Sequence, residues 1–562
     1  MTGLGRPAAA KNICSFLPHL AAFLLFAAIT ALFFRPWLAH LQTALIGPPE
    51  DNLQDFWNSW YMAVGHQPGR FFFTREIFFP EGMPLYYHSF SYPHVFAFAA
   101  LTKVFGTGLP TLIALQNLLL LATFPLAGLS AFALVRHVTG NDWAGIAGGF
   151  VFAFNPWHVA QAMHHTHVTS IEFLPLFALA YLLALERKSI AWLAAAAALW
   201  TLNALACWYY LFYIGFFVVF HGVYLTVRDR ALPRGWQLIV PLASVAATVL
   251  LLLPLILPMI ADSTSPAAYQ LGFNDYVADL TAFLAFPPTH VFGGLTKDLY
   301  ATLTGNDWEN PVYLGLVNVA AIAVLIVRTR GRQDPVLRYV LWGMLVFGIL
   351  AMGKRVHIAG YSIDYVPLPG LAMSHIPILA NLRTPSRTIV LVFLFLAIGV
   401  GRAVQLAWPH RHRAGVAVSM ALAAVLAVAD FYPVNLMTTP LPCSPGLKVV
   451  RDDPATDFGI LGLSDGYSEN NFYMAEQACH GRPIANGVVA RQLYPTLANR
   501  LEVHDFKAQR QQLRRARIKY IVLHRPNGEL FLWRKEDGDE ALYRKTYPVA
   551  YDGPDATIFK VY

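Results

Sequence analysis

Three carboxylates crowd into one short stretch near the start of the chain, among tryptophans and other aromatic residues. Glu50, Asp51 and Asp55 lie in GPPEDNLQDFWNSWYMAV (47–64). A carboxylate can act as a general base toward a hydroxyl group, and two carboxylates can share a divalent cation such as Mg or Mn. The alternative is an amphipathic interfacial helix with solvated acids. We therefore take Asp51, Glu50 and Asp55 as candidate catalytic residues, and Asp51 with Glu50 as a candidate metal site.

Two arginines stand at the beginning of a later apolar run. Arg383 and Arg387 lie in ILANLRTPSRTIVLVF (378–393). The planar guanidinium group donates two parallel hydrogen bonds, which suits a phosphate group. The alternatives are salt bridges to acids on the same side, or side chains that extend along the membrane surface. The pair is a candidate phosphate site.

Three further stretches carry polar side chains between apolar runs. They contain His88 in IFFPEGMPLYYHSFSYPH (77–94), His165 and His167 in NPWHVAQAMHHTHVTSIEFLP (155–175), and Glu309 in NDWENPVYLGL (306–316). Closely spaced histidines bind metal or phosphate, or carry protons. The alternatives are an aromatic belt, a histidine pair that lacks a third ligand, and an acid at a helix N-terminus. All four residues are candidate substrate-binding groups.

The composition is that of a membrane protein with several spans. The chain has 562 residues, of which 56% are hydrophobic and 13% charged, and its mean hydropathy is +0.46. Soluble domains carry about twice this charged fraction. The net charge of +8 does not indicate nucleic-acid binding, because the basic residues sit in short loops between apolar runs. That distribution is typical of topology signals.

Eleven apolar runs are candidates for spans, since a helix of roughly 20 apolar residues crosses a bilayer. They are 14–34, 110–135, 143–158, 168–185, 190–207, 208–227, 236–260, 312–328, 337–352, 386–405 and 414–430. The first run lacks a small-residue cleavage site and is predicted to be an uncleaved span rather than a signal peptide. The segment 96–106 is too short to span and is predicted to be interfacial or re-entrant.

The basic clusters predict the orientation of these spans. An even number of crossings separates each cluster from the next if 190–227 is a hairpin that turns near 203–207. The clusters are then cytoplasmic, with the N-terminus; they are Arg6/Lys11, Arg136, Arg187/Lys188, Arg228/Arg230/Arg234, Arg328/Arg330/Arg332/Arg338 and Arg402/Arg411/Arg413. The loops 35–109, 261–311 and 353–385 and the tail 431–562 are predicted to lie outside.

The tail differs in character from the rest of the chain. We predict a transmembrane part over 1–430 and a small extracytoplasmic α/β domain over 431–562, with strands at IKYIVLH (518–524) and TIFKVY (557–562) and a helix near 499–516. Cys443 and Cys479 both lie in this tail, where oxidation is possible, and are predicted to form a disulfide. Cys14 and Cys207 lie in predicted spans and are predicted to be packing residues.

The predicted topology places all the candidate residues on one membrane face. Polar side chains at the end of an apolar bundle cost free energy unless they are paired or functional. Arginines for a phosphate, a carboxylate for an attacking hydroxyl and an apolar groove for a lipid tail would together form a site for a lipid phosphate.

An ordered set of motifs resembles the bacterial GT-C-type glycosyltransferases, which use polyprenyl-phosphate sugars, and within them the YfhO-like membrane proteins. The set is EDNLQDFWNSWY, FFPEGMPLYYHS, FVFAFNPWHVAQAMHHTH, ENPVYLGL, NLRTPSRT, FYMAEQACHGRPIANG and IKYIVLH. The resemblance implies a GT-C-like fold and a catalytic aspartate in the first outer loop, which is Asp51 here. Many such enzymes carry a D-x-D pair, whereas this chain has Glu50–Asp51 followed by Asp55.

The working hypothesis is a glycosyltransferase of the cell envelope at the outer face of a bacterial inner membrane. It would move a sugar from a polyprenyl-phosphate donor to a glycan, lipid or protein acceptor, with Asp51 as the general base and Arg383 and Arg387 on the phosphate. One alternative is a transporter or flippase for lipid-linked sugars, which predicts ionisable residues at mid-membrane and repeat symmetry. The other is a non-catalytic assembly factor that acts through its tail.

Overall fold

A computed structural model describes residues 16–65, 72–261, 275–329, 334–376, 378–412, 414–441, 443–463, 467–525 and 537–562. Six residues named above lie outside the described residues, so the predictions that involve them stay predictions. They are Arg6, Lys11, Cys14, Arg330, Arg332 and Arg413.

Seven helices of the described chain are long and apolar enough to cross a membrane. They are Phe16–Phe33, Leu109–Thr139, Thr166–Arg187, Trp208–Asp229, Trp236–Ala261, Pro385–His410 and Ala414–Phe431. The shorter apolar helices are Ile190–Ala206, Leu316–Arg328 and Pro335–Ala351. The chain is therefore a helical membrane protein. The count of eleven spans stays a prediction, because helices of 13 or 17 residues are shorter than the roughly 20 residues of an ordinary span.

The remaining helices are short and lie between these elements or in the tail. They are Arg35–Ala39, Asp51–Trp60 with its π-helical extension Tyr61–Gly65, Tyr92–Phe105, Asp142–Ala153, Pro156–His164, Lys297–Tyr300, Pro369–Met373, Leu447–Arg451, Tyr467–His480, Leu497–Arg500, Phe506–Arg515 and Asp537–Thr546, with 3-10 turns at Thr281–Phe283, Gly293–Thr296 and Leu379–Asn381. The segment 96–106, predicted to be interfacial or re-entrant, belongs to the 14-residue helix Tyr92–Phe105.

The predicted span 143–158 is a shorter buried helix. It ends at Ala153 after 12 residues, and Asn155 then caps the next helix by accepting a hydrogen bond from its backbone. A Cβ on Gly149 would lie 2.5 Å from the carbonyl oxygen of Gly128, so the two helix backbones pack in direct contact. Small residues permit this approach. The predicted span 143–158 thus corresponds to two consecutive helices, and its crossing of the membrane stays a prediction.

The run 190–227 turns back on itself as the topology argument requires. The helix Ile190–Ala206 ends at Cys207, whose backbone is extended, and Trp208–Asp229 begins at the next residue. The indole nitrogen of Trp200 donates to the carbonyl of Leu211 at 3.0 Å. The prediction of a break near 203–207 is confirmed.

Ion pairs gather at one end of the bundle. His137 lies 3.1 Å from Glu186, and Arg402 lies 2.7 Å from Asp334. Arg402 follows Arg387 by fifteen residues along the helical segment Pro385–His410, which corresponds to roughly 22 Å at 1.5 Å per residue. The segment around Arg387 therefore lies at the opposite end of the bundle.

In the part of the chain that the structure describes, ten strands form four small sheets. They are β1 Ala44–Ile46, β2 Phe73–Thr74, β3 Met83–Pro84, β4 Arg355–Ile358, β5 Tyr361–Pro367, β6 Thr438–Pro440, β7 Gly459–Gly462, β8 Ile518–His524, β9 Val549–Asp552 and β10 Ala556–Lys560. The strands of the tail form one sheet in the order β7-β8-β10-β9, in which β7 and β8 are parallel and the other pairs antiparallel. The predicted strands at 518–524 and 557–562 correspond to β8 and β10. The predicted helix near 499–516 is divided into Leu497–Arg500 and Phe506–Arg515.

The tail is joined closely to the loop 35–109. β1 pairs antiparallel with β6, and the indole nitrogen of Trp57 donates to Oε1 of Gln477 at 2.5 Å. The sulfur atoms of Cys443 and Cys479 lie 2.10 Å apart in a disulfide. The boundary at 430 stays a prediction, because strand pairing and buried hydrogen bonds cross it.

Candidate active site

A cavity of about 320 Å³ lies at the end of the bundle remote from the Arg402 ion pair. Most of the predicted site residues meet there. Its lining is Asp51, Gln54, Asp55, Ser89, His165, His167, Tyr209, Arg383, Thr384, Arg387 and the segment Val488, Val489 and Ala490. The candidate base and both candidate phosphate ligands therefore share one cavity, although two stretches far apart in the chain supply them.

The helix Asp51–Trp60 positions the acids. It begins at Asp51, and the positive end of its dipole favours a carboxylate in the first turn. The side chain of Asn52 donates to the carbonyl of Ile46 at 2.9 Å and accepts from the backbone of Glu50 at 3.1 Å. Asp51 and Asp55 are four positions apart, so they lie on the same helix face. That spacing explains why both acids reach the cavity.

Asp51 contacts a histidine that is held by a glutamine. Its Oδ2 lies 3.2 Å from Nε2 of His165, and Nδ1 of His165 lies 2.8 Å from Oε1 of Gln161. The amide nitrogen of Gln161 donates to the carbonyl of Trp308 at 2.9 Å. The glutamine oxygen is therefore an acceptor, and Nδ1 of His165 carries the hydrogen. Nε2 of His165 is left facing Asp51 and the guanidinium of Arg387, 3.3 Å away.

Arg387 is buried and fixed by an acid. Its Nε donates to Oε1 of Glu309 at 2.8 Å, and Nη2 donates to the same oxygen. The guanidinium also lies over the ring of Tyr209, 5.0 Å from the centroid, a favourable cation–π distance. Arg387 is 7% exposed and Glu309 is 2% exposed. Glu309 therefore does not face the cavity; it neutralises and orients Arg387 from behind.

Arg383 is the more accessible of the two arginines. It is half-buried and lines the cavity beside Thr384. Both arginines therefore line the cavity, with Arg387 buried and Arg383 half-buried.

Asp55 lies in a less polar environment than Asp51. Its Oδ2 accepts a hydrogen bond from the backbone nitrogen of Thr166 at 2.8 Å, and its Oδ1 lies 3.9 Å from Nδ1 of His167. Burial, reinforced by the charge of Asp51, raises the pKa of Asp55 to about 8. Asp55 is therefore mostly protonated at neutral pH and serves as a neutral neighbour of Asp51 rather than as a second base.

Two predicted residues lie beside the cavity rather than in its lining. Oε2 of Glu50 is 3.8 Å from Nδ1 of His164, whose ring stacks on Trp308 at 4.4 Å. Nε2 of His88 is 2.7 Å from Oδ1 of Asn58, and burial lowers the pKa of His88 to about 3. His88 is thus a neutral residue that supports the acid-bearing helix.

Glu50 and Asp51, the predicted metal pair, contact different histidines. Glu50 is directed toward His164 and Asp51 toward His165. Among the residues that the structure describes, no group of three His, Cys, Asp or Glu side chains is placed to hold a metal ion. The Mg or Mn site stays a prediction, and no step below is routed through a metal.

Sequence reasoning missed several residues of the site. Gln161 lies in the histidine-rich stretch four positions before His165, a helical spacing that could have identified it. Tyr209 follows the break at Cys207, on a helix that otherwise resembles an ordinary span. Nothing in the sequence of the tail segment 488–490 indicated a role in the site. The segment reaches the cavity only because the tail packs against the loop 35–109.

Comparison with known proteins identifies a family. The profile described as Domain of unknown function (DUF6311) matches residues 20–432, so the chain belongs to that family. None of the curated proteins matches it. The YfhO-like affiliation stays a prediction.

Solved structures show the same fold at low sequence identity. The archaeal oligosaccharyltransferase AglB from Archaeoglobus fulgidus, in complex with an inhibitory peptide and a dolichol-phosphate, is 14% identical with a TM-score of 0.50, over 90% of this chain and 69% of AglB. Arabinofuranosyltransferase AftD from Mycobacteria is 13% identical with a TM-score of 0.59, over 97% of this chain and 41% of AftD. The chain is thus similar in structure to membrane glycosyltransferases of the GT-C type.

Proposed function

We propose that this member of the DUF6311 family is a membrane glycosyltransferase that moves a sugar from a polyprenyl-phosphate donor to an acceptor hydroxyl. The observation that carries the proposal is the meeting of Asp51, Arg383 and Arg387 in one cavity of about 320 Å³ at one end of the bundle. A base for the acceptor and two guanidinium groups for a phosphate are the groups that this reaction needs. The GT-C-type fold supports the same reaction class.

The reaction uses Asp51 as a general base. The acceptor oxygen attacks the anomeric carbon, and its proton passes to the Asp51 carboxylate. The bond between the anomeric carbon and the phosphate oxygen breaks, and its electron pair leaves with the lipid phosphate. Nε2 of His165 lies 3.2 Å from Asp51, within reach of the proton that the carboxylate takes up. Asp55 keeps its proton, so Asp51 is the charged member of the pair Asp51 and Asp55.

The arginines stabilise the leaving group. The lipid phosphate gains negative charge as the bond breaks, and donors that are already in place lower the energy of that change. Arg387 is held by Glu309 and Tyr209, so its donors need little reorganisation. Arg383, the more exposed arginine, is the second guanidinium group available to the phosphate.

We place this cavity at the outer face of a bacterial inner membrane, with the N-terminus in the cytoplasm. The positive-inside rule supports this orientation. Basic residues such as Arg136 and Arg402 lie near the end of the bundle opposite the cavity. The donor is then a lipid-linked sugar in the outer leaflet, and the acceptor is a glycan, lipid or protein of the cell envelope.

Replacement of the base tests the proposal. The full chain in proteoliposomes is given polyprenyl-phosphate pentoses and hexoses, with washed cell-envelope membranes as the source of acceptor. We expect Asp51→Asn to lower the rate of sugar transfer at least about 100-fold, the usual contribution of a general base. Asp452→Asn makes the same change at an exposed tail residue and should keep the wild-type rate. Full activity of a folded Asp51→Asn protein would refute the assignment.

A further inference from the structure

The tail supplies part of the cavity lining. Val488, Val489 and Ala490 are the lining residues that come from beyond residue 430. Their side chains are small and aliphatic, whereas most of the lining contributed by the membrane part is charged or polar. The function of this segment, which we name the strap (488–490), does not follow from acid–base chemistry or phosphate binding.

One end of the strap is anchored on the side of the acids. Asn486 donates to the carbonyl of Gly462 at 3.2 Å and to Oδ1 of Asn470 at 3.2 Å. The neighbouring Asn471 accepts a hydrogen bond from Gln54 at 3.4 Å. Gln54 lies in the helix that carries Asp51 and lines the cavity itself. The tail thus abuts the acid-bearing helix at this point.

The other end of the strap is anchored on the side of the arginines. Nη2 of Arg491 donates to Oδ1 of Asn381 at 3.0 Å, two residues before Arg383. The guanidinium of Arg491 also lies 4.7 Å from the ring centroid of Tyr87. The strap therefore extends from the acid-bearing helix to the arginine-bearing loop.

The position between these two anchors is the position of the sugar. In the proposed reaction the phosphate lies at the arginines and the acceptor proton at Asp51, and the reacting atoms must come within about 3–3.5 Å of each other. The transferred sugar must then occupy the space between the two groups. Aliphatic side chains suit the C–H face of a sugar ring, while Asp51, Gln54 and Asp55 offer polar groups to its hydroxyls.

We propose that the strap contacts the sugar of the donor and sets which sugar is transferred. This inference rests on the proposed function and adds to it a recognition element supplied by the tail. Because Val489 and Ala490 line the cavity, a larger side chain at either position should narrow it and select against larger sugars. The phosphate and the lipid, held by the arginines and the membrane part, do not depend on the strap.

Protection of an introduced cysteine from labelling by a bound ligand distinguishes contact with the sugar from contact with the phosphate. The full chain carries Val489→Cys or Thr384→Cys in a Cys14→Ser/Cys207→Ser background, in proteoliposomes, and is treated with a maleimide. Thr384 lines the cavity next to Arg383. The control is Val503→Cys, the same substitution at a tail residue that is 49% exposed. The added ligands are a polyprenyl-phosphate sugar, or polyprenyl phosphate alone.

We expect the two cavity cysteines to respond differently. The sugar-bearing donor should slow labelling at Val489→Cys about tenfold, whereas polyprenyl phosphate alone should leave it unchanged. Both ligands should slow labelling at Thr384→Cys, and neither should affect Val503→Cys. The inference is overturned if neither ligand affects labelling at Val489→Cys, or if both ligands slow it equally. In that case, protection at Thr384→Cys still leaves the proposed function standing. Loss of protection at Thr384→Cys overturns both.

Discussion

At the scale of single residues, the site depends on how each charge is paired. Asp51 faces His165, whereas Arg387 is buried against Glu309. Removing one partner of a buried pair leaves the other as an uncompensated charge, which typically costs about 3–5 kcal/mol. Glu309 therefore acts on the reaction through Arg387, as a positioning residue, and the sequence could not distinguish that role from direct contact with substrate.

The proton on Asp55 gives a prediction about stability and pH. Burial raises the pKa of Asp55 from 3.8 to about 8, so between these values the folded chain binds a proton that the unfolded chain has released. The free energy of unfolding must then fall as the pH rises. We expect the difference in unfolding free energy between wild type and Asp55→Asn to decrease from pH 5 to pH 8, by up to about 1.4 kcal/mol per unit.

The comparison with Asp55→Asn isolates this residue, because all other titrating groups are common to both proteins. Unfolding temperatures of the two detergent-solubilised proteins at a series of pH values provide the measurement. A difference that stays constant, or that grows with pH, would show that Asp55 is ionised in the folded chain.

At the scale of elements, the acid and the buried arginine of the site both lie where a helix begins. Asp51 is the first residue of its helix, and the 3-10 turn Pro385–Thr388 leads into the helix Ile389–Ala407. The sequence placed both groups near the ends of apolar runs and thereby on one face. The residue types alone did not separate Glu50 from Asp51, and only the resemblance singled out Asp51, because the side chains of neighbouring residues diverge only once the exact start of the helix is known.

The disulfide in the tail gives a prediction for the helix Tyr467–His480. Cys443 and Cys479 are 36 positions apart, and closing a loop of that size stabilises the folded state by about 3–4 kcal/mol. The helix contributes Gln477, which binds Trp57 of the acid-bearing helix. We expect the double variant Cys443→Ser/Cys479→Ser to exchange amide hydrogens about 100-fold faster in this helix, with little change in the helix Leu109–Thr139.

A reducing agent provides the control for that experiment. It should accelerate exchange in the wild-type helix and leave the double serine variant unchanged. Equal exchange in the oxidised wild type and the double variant would mean that strand pairing and packing alone hold the tail.

At the scale of the whole molecule, the sequence predicted what depends on local pattern. Apolar runs indicated helices, the break at Cys207 followed from the basic clusters, and the polar residues at one end of the runs led to the cavity. The strap and Tyr209 depend on tertiary packing, which local pattern does not encode, whereas the helical spacing of Gln161 from His165 was present in the sequence. The run 143–158 is divided at Asn155 into two short helices, a break that composition alone does not locate.

Orientation across the membrane is the last prediction. The basic residues that follow the helix Trp208–Asp229 should be cytoplasmic, and the tail that carries the strap should be outside. In a Cys14→Ser/Cys207→Ser background, Val503→Cys should react with an impermeant maleimide in intact spheroplasts. Leu232→Cys, which is 76% exposed and lies among those basic residues, should react only after permeabilisation. The reverse pattern would place the cavity in the cytoplasm, where the donor would have to lie in the inner leaflet. The proposed chemistry at Asp51 would then remain possible, but the acceptor would be a cytoplasmic molecule rather than a component of the envelope.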